Sequence, residues 1–308
     1  LDIKDLKDEL KHRAKKTKPQ PAVCCVAVAP LRAEAEDPSE IVSQLLFGEL
    51  LEILRYHPAK KMWAYVRCEW DGYEGWLDWR QVQQVDSAFW EKAQKEYAVA
   101  YDITNEAITD NYFQYITKGA TLPLFDGLRF LLGERVFSYN GQAIQHRSIE
   151  ATPEWVLKIA RRYLYAPYLW GGRSPFGIDC SGFTQVVFKA VGERLPRDAS
   201  QQVEIGEEVP FVEAAQIGDL AFFHNAKNKI THVGIVCGEG QIIHASGRVR
   251  IDRLDHQGIF DEERNIYSHH LRIIKRLLKE KPRTQTPSVP PSTSTKTVTI
   301  IENQMTIF

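Results

Sequence analysis

The chain has 308 residues, 44% apolar and 26% charged, close to the soluble globular average of about 45–50% and about 25%, which excludes a fibrous, collagenous or wholly disordered protein. At roughly 100–200 residues per domain the length suggests two or three domains. The 39 Lys plus Arg against 40 Asp plus Glu leave a formal net charge of −1, which argues against a nucleic-acid partner, and no apolar run approaches the roughly 20 residues of a membrane span.

In chain order, Ile3, Leu6, Leu10 and Ala14 fall at helical spacing among seven Lys or Arg and four Asp or Glu, so 1–21 reads as a short amphipathic helix and linker. The apolar run 22–29 ends Ala27-Val28-Ala29, a superficial likeness to a signal-peptide cleavage site, and reads as well as a β-strand. From 22 to 86, β-prone segments at 23–29, 41–46, 50–56, 63–68 and 75–79 alternate with turn residues and predict a small β-barrel. Residues 87–150 repeat that texture more weakly, with strands expected at 113–117, 121–125 and 135–139, and predict a second, diverged barrel. Thr152 and Pro153 ahead of 154–160 form a helix start, a capping hydroxyl with Pro at the first helical position. Alternating helix and strand signals then run to about 281, one domain's worth. Beyond, 13 of the 18 residues over 282–299 are Pro, Ser or Thr, and 282–308 is expected to be a disordered tail.

Five cysteines, at 24, 25, 68, 180 and 237, are odd in number and lack any Cys-x-x-Cys spacing, which disfavours a zinc site or a disulfide framework. Four lie in apolar or alternating stretches, where an inert buried thiol is the default. Unpaired thiols lean the expected localisation towards the reducing cytoplasm; a signal peptide removed upstream of Leu1 would make it periplasmic instead.

Cys180 has unusual neighbours. Asp179-Cys180-Ser181-Gly182-Phe183 follows a turn-rich stretch and precedes an apolar, helical segment at 184–191, which sets Cys180 at or near a helix N-terminus. There the macrodipole and unpaired N–H groups favour a thiolate and lower a pKa of about 8.5 into roughly the 3.5–7.5 range of activated thiols. A base is offered by Thr231-His232-Val233-Gly234-Ile235-Val236, a strand by its alternation, followed by the turn Gly238-Glu239-Gly240 and a second strand, Gln241-Ile242-Ile243-His244-Ala245-Ser246. A three-residue loop centred on Glu239 sets Gly234 opposite His244 and both histidines on one face, about 7–8 Å apart; a two-residue loop would put them on opposite faces. In the first register one imidazole can take the thiol proton while the other orients it.

Residues 163–250 resemble the core of the NlpC family of bacterial cell-wall cysteine peptidases. The resemblance is carried by Tyr168-Leu169-Trp170-Gly171-Gly172, Asp179-Cys180-Ser181-Gly182-Phe183, Leu195-Pro196-Arg197-Asp198-Ala199-Ser200-Gln201-Gln202, Gly218-Asp219-Leu220, His232-Val233-Gly234-Ile235 and Ile243-His244-Ala245. It implies an α+β, papain-like catalytic domain over 151–281, with Cys180 as nucleophile, His232 as general base and His244 as orienting residue. Likewise, Ala64-Tyr65-Val66-Arg67-Cys68-Glu69-Trp70 followed by Asp71-Gly72-Tyr73-Glu74-Gly75-Trp76-Leu77 looks like the hairpin of a bacterial SH3-like domain. Two all-β SH3-like barrels, at 22–86 and 87–150, ahead of an NlpC domain resemble the γ-D-glutamyl-L-diamino acid endopeptidases of the dipeptidyl-peptidase VI type.

That resemblance implies hydrolysis of the bond between γ-D-Glu and the diamino acid (meso-diaminopimelate or Lys) in murein peptides with a free N-terminal L-Ala, in peptidoglycan peptide recycling. Glu40, Tyr73 and Asp198 would surround the L-Ala amine, and Trp170, Asp179 and Ser181 would line the dipeptide pocket. Ala199 departs from the hydroxyl that such enzymes carry beside this Asp. No metal or organic cofactor is implied; the partner is the murein peptide and the chain is expected to be a monomer. The alternatives are a remodelling hydrolase on polymeric peptidoglycan, an acyltransferase on the same scaffold, and a non-catalytic wall-peptide binding module.

Overall fold

The computed structural model describes residues 18–278, apart from 111, 147 and 149. The helix expected at the N-terminus and the tail expected over 282–308 lie outside the described residues.

Seven strands make the first sheet: β1 (Gln20–Cys24), β2 (Val28–Arg32), β3 (Ile41–Leu46), β4 (Leu50–Tyr56), β5 (Trp63–Cys68), β6 (Glu74–Asp78) and β7 (Val82–Gln84), in the order β3-β2-β6-β5-β4-β1-β7. The single strand expected over 23–29 is two, because the chain bends after Cys24 so that β1 joins β4 and β7 while β2 joins β3 and β6. Small residues and alternate apolar side chains, among them Ala22, Leu31, Leu51, Val66 and Leu77, fill this barrel's own core. A short helix, α1 (Ser87–Ala93), capped by the Asp86 carboxylate on Phe89 N–H at 2.7 Å, follows.

The second all-β part consists of β8 (Tyr97–Ala100), β9 (Thr104–Ile108), β10 (Phe113–Thr117), β11 (Thr121–Pro123), β12 (Arg129–Leu132), β13 (Arg135–Tyr139) and β14 (Ala143–Gln145). They form a four-stranded sheet, β10-β9-β13-β12, and a three-stranded one, β11-β8-β14. The expected strand 121–125 stops at Pro123, since Leu124 adopts a positive φ of 54°. The strands that periodicity did not single out, β8, β9, β12 and β14, are short and lean on their neighbours for burial.

The third part starts with α2 (Pro153–Arg161), capped by Thr152 Oγ1 on Trp155 N–H at 3.3 Å. A two-stranded turn, β15 (Arg173–Ser174) and β16 (Gly177–Ile178), leads into α3 (Cys180–Ala190), and α4 (Ala199–Gln202) follows. The remaining strands are β17 (Glu207–Val209), β18 (Leu220–His224), β19 (Ile230–Gly238), β20 (Gln241–Ser246), β21 (Arg248–Leu254), β22 (Gly258–Asp261) and β23 (Ile266–Arg276). The long β23 pairs with both β18 and β22, which closes β18–β23 into a barrel. No helix among the described residues is long and apolar enough to cross a membrane.

All eleven residues of α3 are buried, the pattern of a helix packed on every side. One face meets β19 and β20, and its polar side chains find partners elsewhere: Gln185 Nε2 donates to Asp71 Oδ2 at 2.8 Å and Lys189 Nζ to Glu49 Oε1 at 2.6 Å, both in the first barrel. Glu49 also receives Arg173 from the turn before α3, Nη1 at 2.7 Å and Nη2 at 2.9 Å, while Lys189 donates further to Gly119 O and Thr121 Oγ1 of the second all-β part. One apolar core continues through all three parts, with Phe47 meeting Phe130 edge-on at 5.6 Å and Phe183 and Phe188 of α3 in the same cluster.

Burial opposes ionisation of Glu49, but Arg173 and Lys189 outweigh it and hold the carboxyl down at about 2 from an ordinary 4.5. Removing one partner strands buried charge, so Glu49→Ala should cost about 3–5 kcal/mol and lower Tm by on the order of 10 °C in thermal unfolding. Lys60→Ala, which removes a 3.0 Å pair to Glu36 in which both side chains are exposed, should cost under about 1 kcal/mol. Because the folded pKa is depressed, the Glu49 contribution is complete above about pH 4.5 and is lost as pH falls through about 2. Acid titration of Glu49→Gln should lack that phase.

Candidate active site

Cys180 is the first residue of α3 and only 6% exposed. Asp179 caps the helix: its Oδ1 accepts from Gly182 N–H at 2.7 Å, while Arg197, buried beneath, grips both oxygens at 3.0 and 2.6 Å. Gly171 N–H donates to Asp179 Oδ2 at 2.9 Å, which ties the preceding loop to the same carboxylate. Gly171 has φ +77°, and a Cβ there would sit 2.1 Å from Ile41 O, so only glycine lets this loop lie against the first barrel.

The histidines come from adjacent strands. The hairpin between β19 and β20 turns on two residues, Glu239 and Gly240, both with positive φ as a tight primed turn requires, and Gly238 pairs with Gln241. A bulge at Cys237 then restores the register Gly234↔His244. The expected three-residue loop is thus replaced by a two-residue turn plus a bulge, and the extra residue keeps both imidazoles on one face. Gly234 has no side chain to collide with; a Cβ there would lie 2.8 Å from His244 Cβ. His232 Nε2 and His244 Nδ1 are 2.8 Å apart with the rings nearly perpendicular, and His244 Nε2 lies 2.9 Å from Asp252 Oδ2 on β21. Arg250 holds the other oxygen of Asp252 at 2.8 Å and reaches Asp261 at 3.3 Å. His269 from β23 stacks on His232, centroids 4.0 Å apart and planes 24° from parallel.

Burial, with the Asp179 charge behind it, pushes the Cys180 thiol up to about 12 against the opposing pull of the Val233 backbone, Arg197 and the Ser181 backbone. The activated range expected from the helix N-terminus is therefore not what this resting site holds: desolvation of a thiolate outweighs the dipole. Burial likewise pushes His232 well below 6.5, helped by His244 and His269, and lowers His269 to about 4. At neutral pH Cys180 rests as a neutral thiol, and His232 and His269 as neutral imidazoles.

A cleft of about 420 Å³ opens beside Cys180, and each residue expected to bind substrate lines it: Glu40, Tyr73, Trp170, Asp179, Ser181 and Asp198. Trp170, 60% exposed, donates from Nε1 to Glu40 Oε1 at 2.6 Å, a contact that joins the peptidase loop to the first barrel at the mouth. Tyr73 hydrogen-bonds to Asp198; burial and that carboxylate push the phenol up to about 12, and burial raises Asp198 in turn. Asp179, expected among the substrate contacts, has both oxygens engaged by protein donors, and Ser181 Oγ is taken by Arg197 at 2.9 Å. These two form wall, whereas Glu40, Tyr73 and Asp198 present polar groups. Sequence reasoning did not single out Tyr168, Arg197, Asp252 or His269. Burial and then the Cys180 charge push the Tyr168 phenol up to about 12. Tyr168 and Arg197 lie within the motifs already noted, and Asp252 carried a usable signal, since β21 follows β20 after a one-residue turn and continues its alternation; His269 comes from a strand with no local tie to the site.

The donor atoms of His232, His244 and His269 lie within 4.8 Å of one another, close enough to consider a metal. Two of those nitrogens are spent on each other and the His269 ring is stacked rather than convergent, so the geometry is that of a hydrogen-bonded imidazole relay. A larger cavity, about 530 Å³, lies on the first barrel among Ile53, Tyr56, Trp79, Val82 and Gln84, remote in chemistry from the cysteine.

Comparison with known proteins finds the NlpC/P60 family profile over residues 165–266 and the bacterial dipeptidyl-peptidase Sh3 domain over residues 31–82. The chain is 31% identical over 223 residues to a gamma-D-glutamyl-L-lysine dipeptidyl-peptidase of Bacillus subtilis (strain 168), covering 67% of this chain and 72% of that one. It is 28% identical to dipeptidyl-peptidase 6 of Lysinibacillus sphaericus, covering 77% and 92%. The crystal structure of an NlpC/P60 family protein from Bacillus cereus ATCC 10987 superposes with a TM-score of 0.71 at 23% identity over 84% of this chain and all of that one, a likeness of fold.

A thiol with a raised pKa alkylates through its small thiolate fraction. The rate of Cys180 modification by iodoacetamide, followed by peptide mass spectrometry, should climb about tenfold per pH unit from 6 to 9 without levelling. A plateau between pH 5 and 7 would mean a preformed thiolate–imidazolium pair instead.

Proposed function

The chain belongs to the NlpC/P60 family and is a hydrolase of peptidoglycan peptides, and from that premise we propose that it cleaves the bond between γ-D-Glu and an L-diamino acid in murein peptides with a free N-terminal L-Ala. The observation that carries this reading is the joint cleft, in which the acidic Glu40 and Asp198 and the Tyr73 hydroxyl, from the first barrel and the peptidase part, share one lining with Cys180. Asp198 is held above its ordinary pKa by burial, with Arg197 committed to Asp179, so a bound ammonium would supply the missing counter-charge. The Glu40–Trp170 contact closes the mouth from the barrel side and supports a limit to dipeptides on the acyl side.

In this mechanism Cys180 Sγ attacks the γ-carbonyl carbon of D-Glu as His232 takes the thiol proton, so charge separates only when the carbonyl is in place. The oxyanion is met by the Cys180 backbone N–H, which has no intrahelical acceptor. The C–N bond breaks with the proton passing from His232 to the leaving amine, and a thioester remains. Water, deprotonated by His232, then releases L-Ala-D-Glu and restores the thiol. Released peptides with free amines as substrates, and five free cysteines, support a recycling role in a reducing compartment.

Mass spectrometry of L-Ala-γ-D-Glu-meso-diaminopimelate and its Lys counterpart, each free and N-acetylated, tests the proposal. The free peptides should yield L-Ala-D-Glu, Cys180→Ala should yield none, and Glu40→Gln or Asp198→Asn should raise KM about 10–100-fold, the worth of one charge-assisted contact. Equal cleavage of the acetylated peptides would overturn the amine subsite and favour a remodelling hydrolase.

A further inference from the structure

We infer that Asp252 is a positioning residue of this site, a fourth member of the relay that sets which nitrogen of His232 is free to accept the thiol proton. The inference rests on the thiol mechanism proposed above. Arg250 can only donate, and it occupies Asp252 Oδ1 through Nε at 3.0 Å and Nη2 at 2.8 Å. Asp252 Oδ2 is therefore an acceptor at 2.9 Å from His244, so His244 carries its proton on Nε2. A neutral His244 then presents a lone pair at Nδ1. The 2.8 Å contact to His232 has to be donated by His232 Nε2–H, which leaves His232 Nδ1 unprotonated. One carboxylate two strands away thus fixes two tautomers in series.

The surroundings keep that carboxylate ionised and still. Burial opposes its charge, but His244 and Arg250 hold it below the ordinary carboxylate range, and Arg250 is itself braced by Asp261 and Glu263. The strand register does the positioning: β20 and β21 pair with His244 opposite Arg250 and Ile242 opposite Asp252, so Asp252 stands diagonal to His244 on the same face. His244 is 1% exposed, which leaves solvent no part in choosing its tautomer.

Asp252→Asn tests this without changing size. Arg250 will draw the amide oxygen and turn the NH2 towards His244, so His244 shifts its proton to Nδ1 and His232 becomes protonated on Nδ1, the wrong nitrogen. In the full chain labelled with ¹⁵N-histidine, two-bond ¹⁵N–¹H correlation spectra at pH 7 should show both His232 and His244 protonated on Nε2 in the wild type and on Nδ1 in Asp252→Asn. On the murein peptide kcat should fall on the order of 10²–10³-fold with KM within threefold, and in a His244→Gln background the same substitution should cost less than threefold. Unchanged tautomers in Asp252→Asn, an equal loss in the His244→Gln background, or a loss carried by KM would each overturn the inference. Should Asp252→Asn not fold, the wild-type spectrum decides by itself, since His232 protonated on Nδ1 contradicts the relay. A wild type that shows the expected tautomers yet cleaves no peptide would sink the substrate proposal and leave this inference standing.

Discussion

The arrangement depends on one buried carboxylate. Glu49, in the turn between two strands of the first barrel, meets Arg173 and Lys189, and these two cations flank Cys180 in the chain, one in the turn before its helix and one near the helix end. Because Lys189 also bonds Gly119 O and Thr121 Oγ1, the cluster touches all three parts of the fold at once. Taking three charges out of water is costly, and the geometry offsets that cost only while every partner stays in place. The cluster is therefore a device of registration more than of net stability: it fixes the height and rotation of the Cys180 helix against the barrel that supplies the far wall of the cleft.

From that registration the chemistry of the cleft follows. Arg197 extends the same logic nearer the sulfur, since it binds the helix cap Asp179 on one side and Ser43 of the first barrel on the other. The barrel is brought close enough for Gly171 to lie on Ile41 and for Trp170 to reach Glu40, so this wall of the cleft belongs to neither part alone. The same close packing desolvates the thiol and the imidazoles. Burial then favours the neutral forms of Cys180 and His232.

Desolvation also explains why helix-end reasoning about Cys180 runs opposite to the resting site. A helix N-terminus contributes a partial positive charge, worth typically 0.3–1 kcal/mol at an exposed position, whereas complete burial of a thiolate shifts its pKa by several units. Local motif and local electrostatics are different kinds of information: the first survives in the chain, the second is set by what packs over it.

Elements whose physics is local were legible in the chain. Thr152 as a cap, Cys180 at a helix start, the alternation of β19 and β20, and the three-part order of two all-β segments before an α+β one can all be read from neighbouring residues, because capping bonds and pleat periodicity span at most a few positions. The tertiary structure alone decided the rest. A bulge at Cys237, rather than a longer loop, put the two histidines on one face; β1 and β2 separated because different partners claimed them; and His269 reached the site from a strand whose distance along the chain carries no signal. Charge states belong to this second group. A pKa in a buried site is the balance between desolvation and the groups that surround it, and both come into being only when the chain has closed around them.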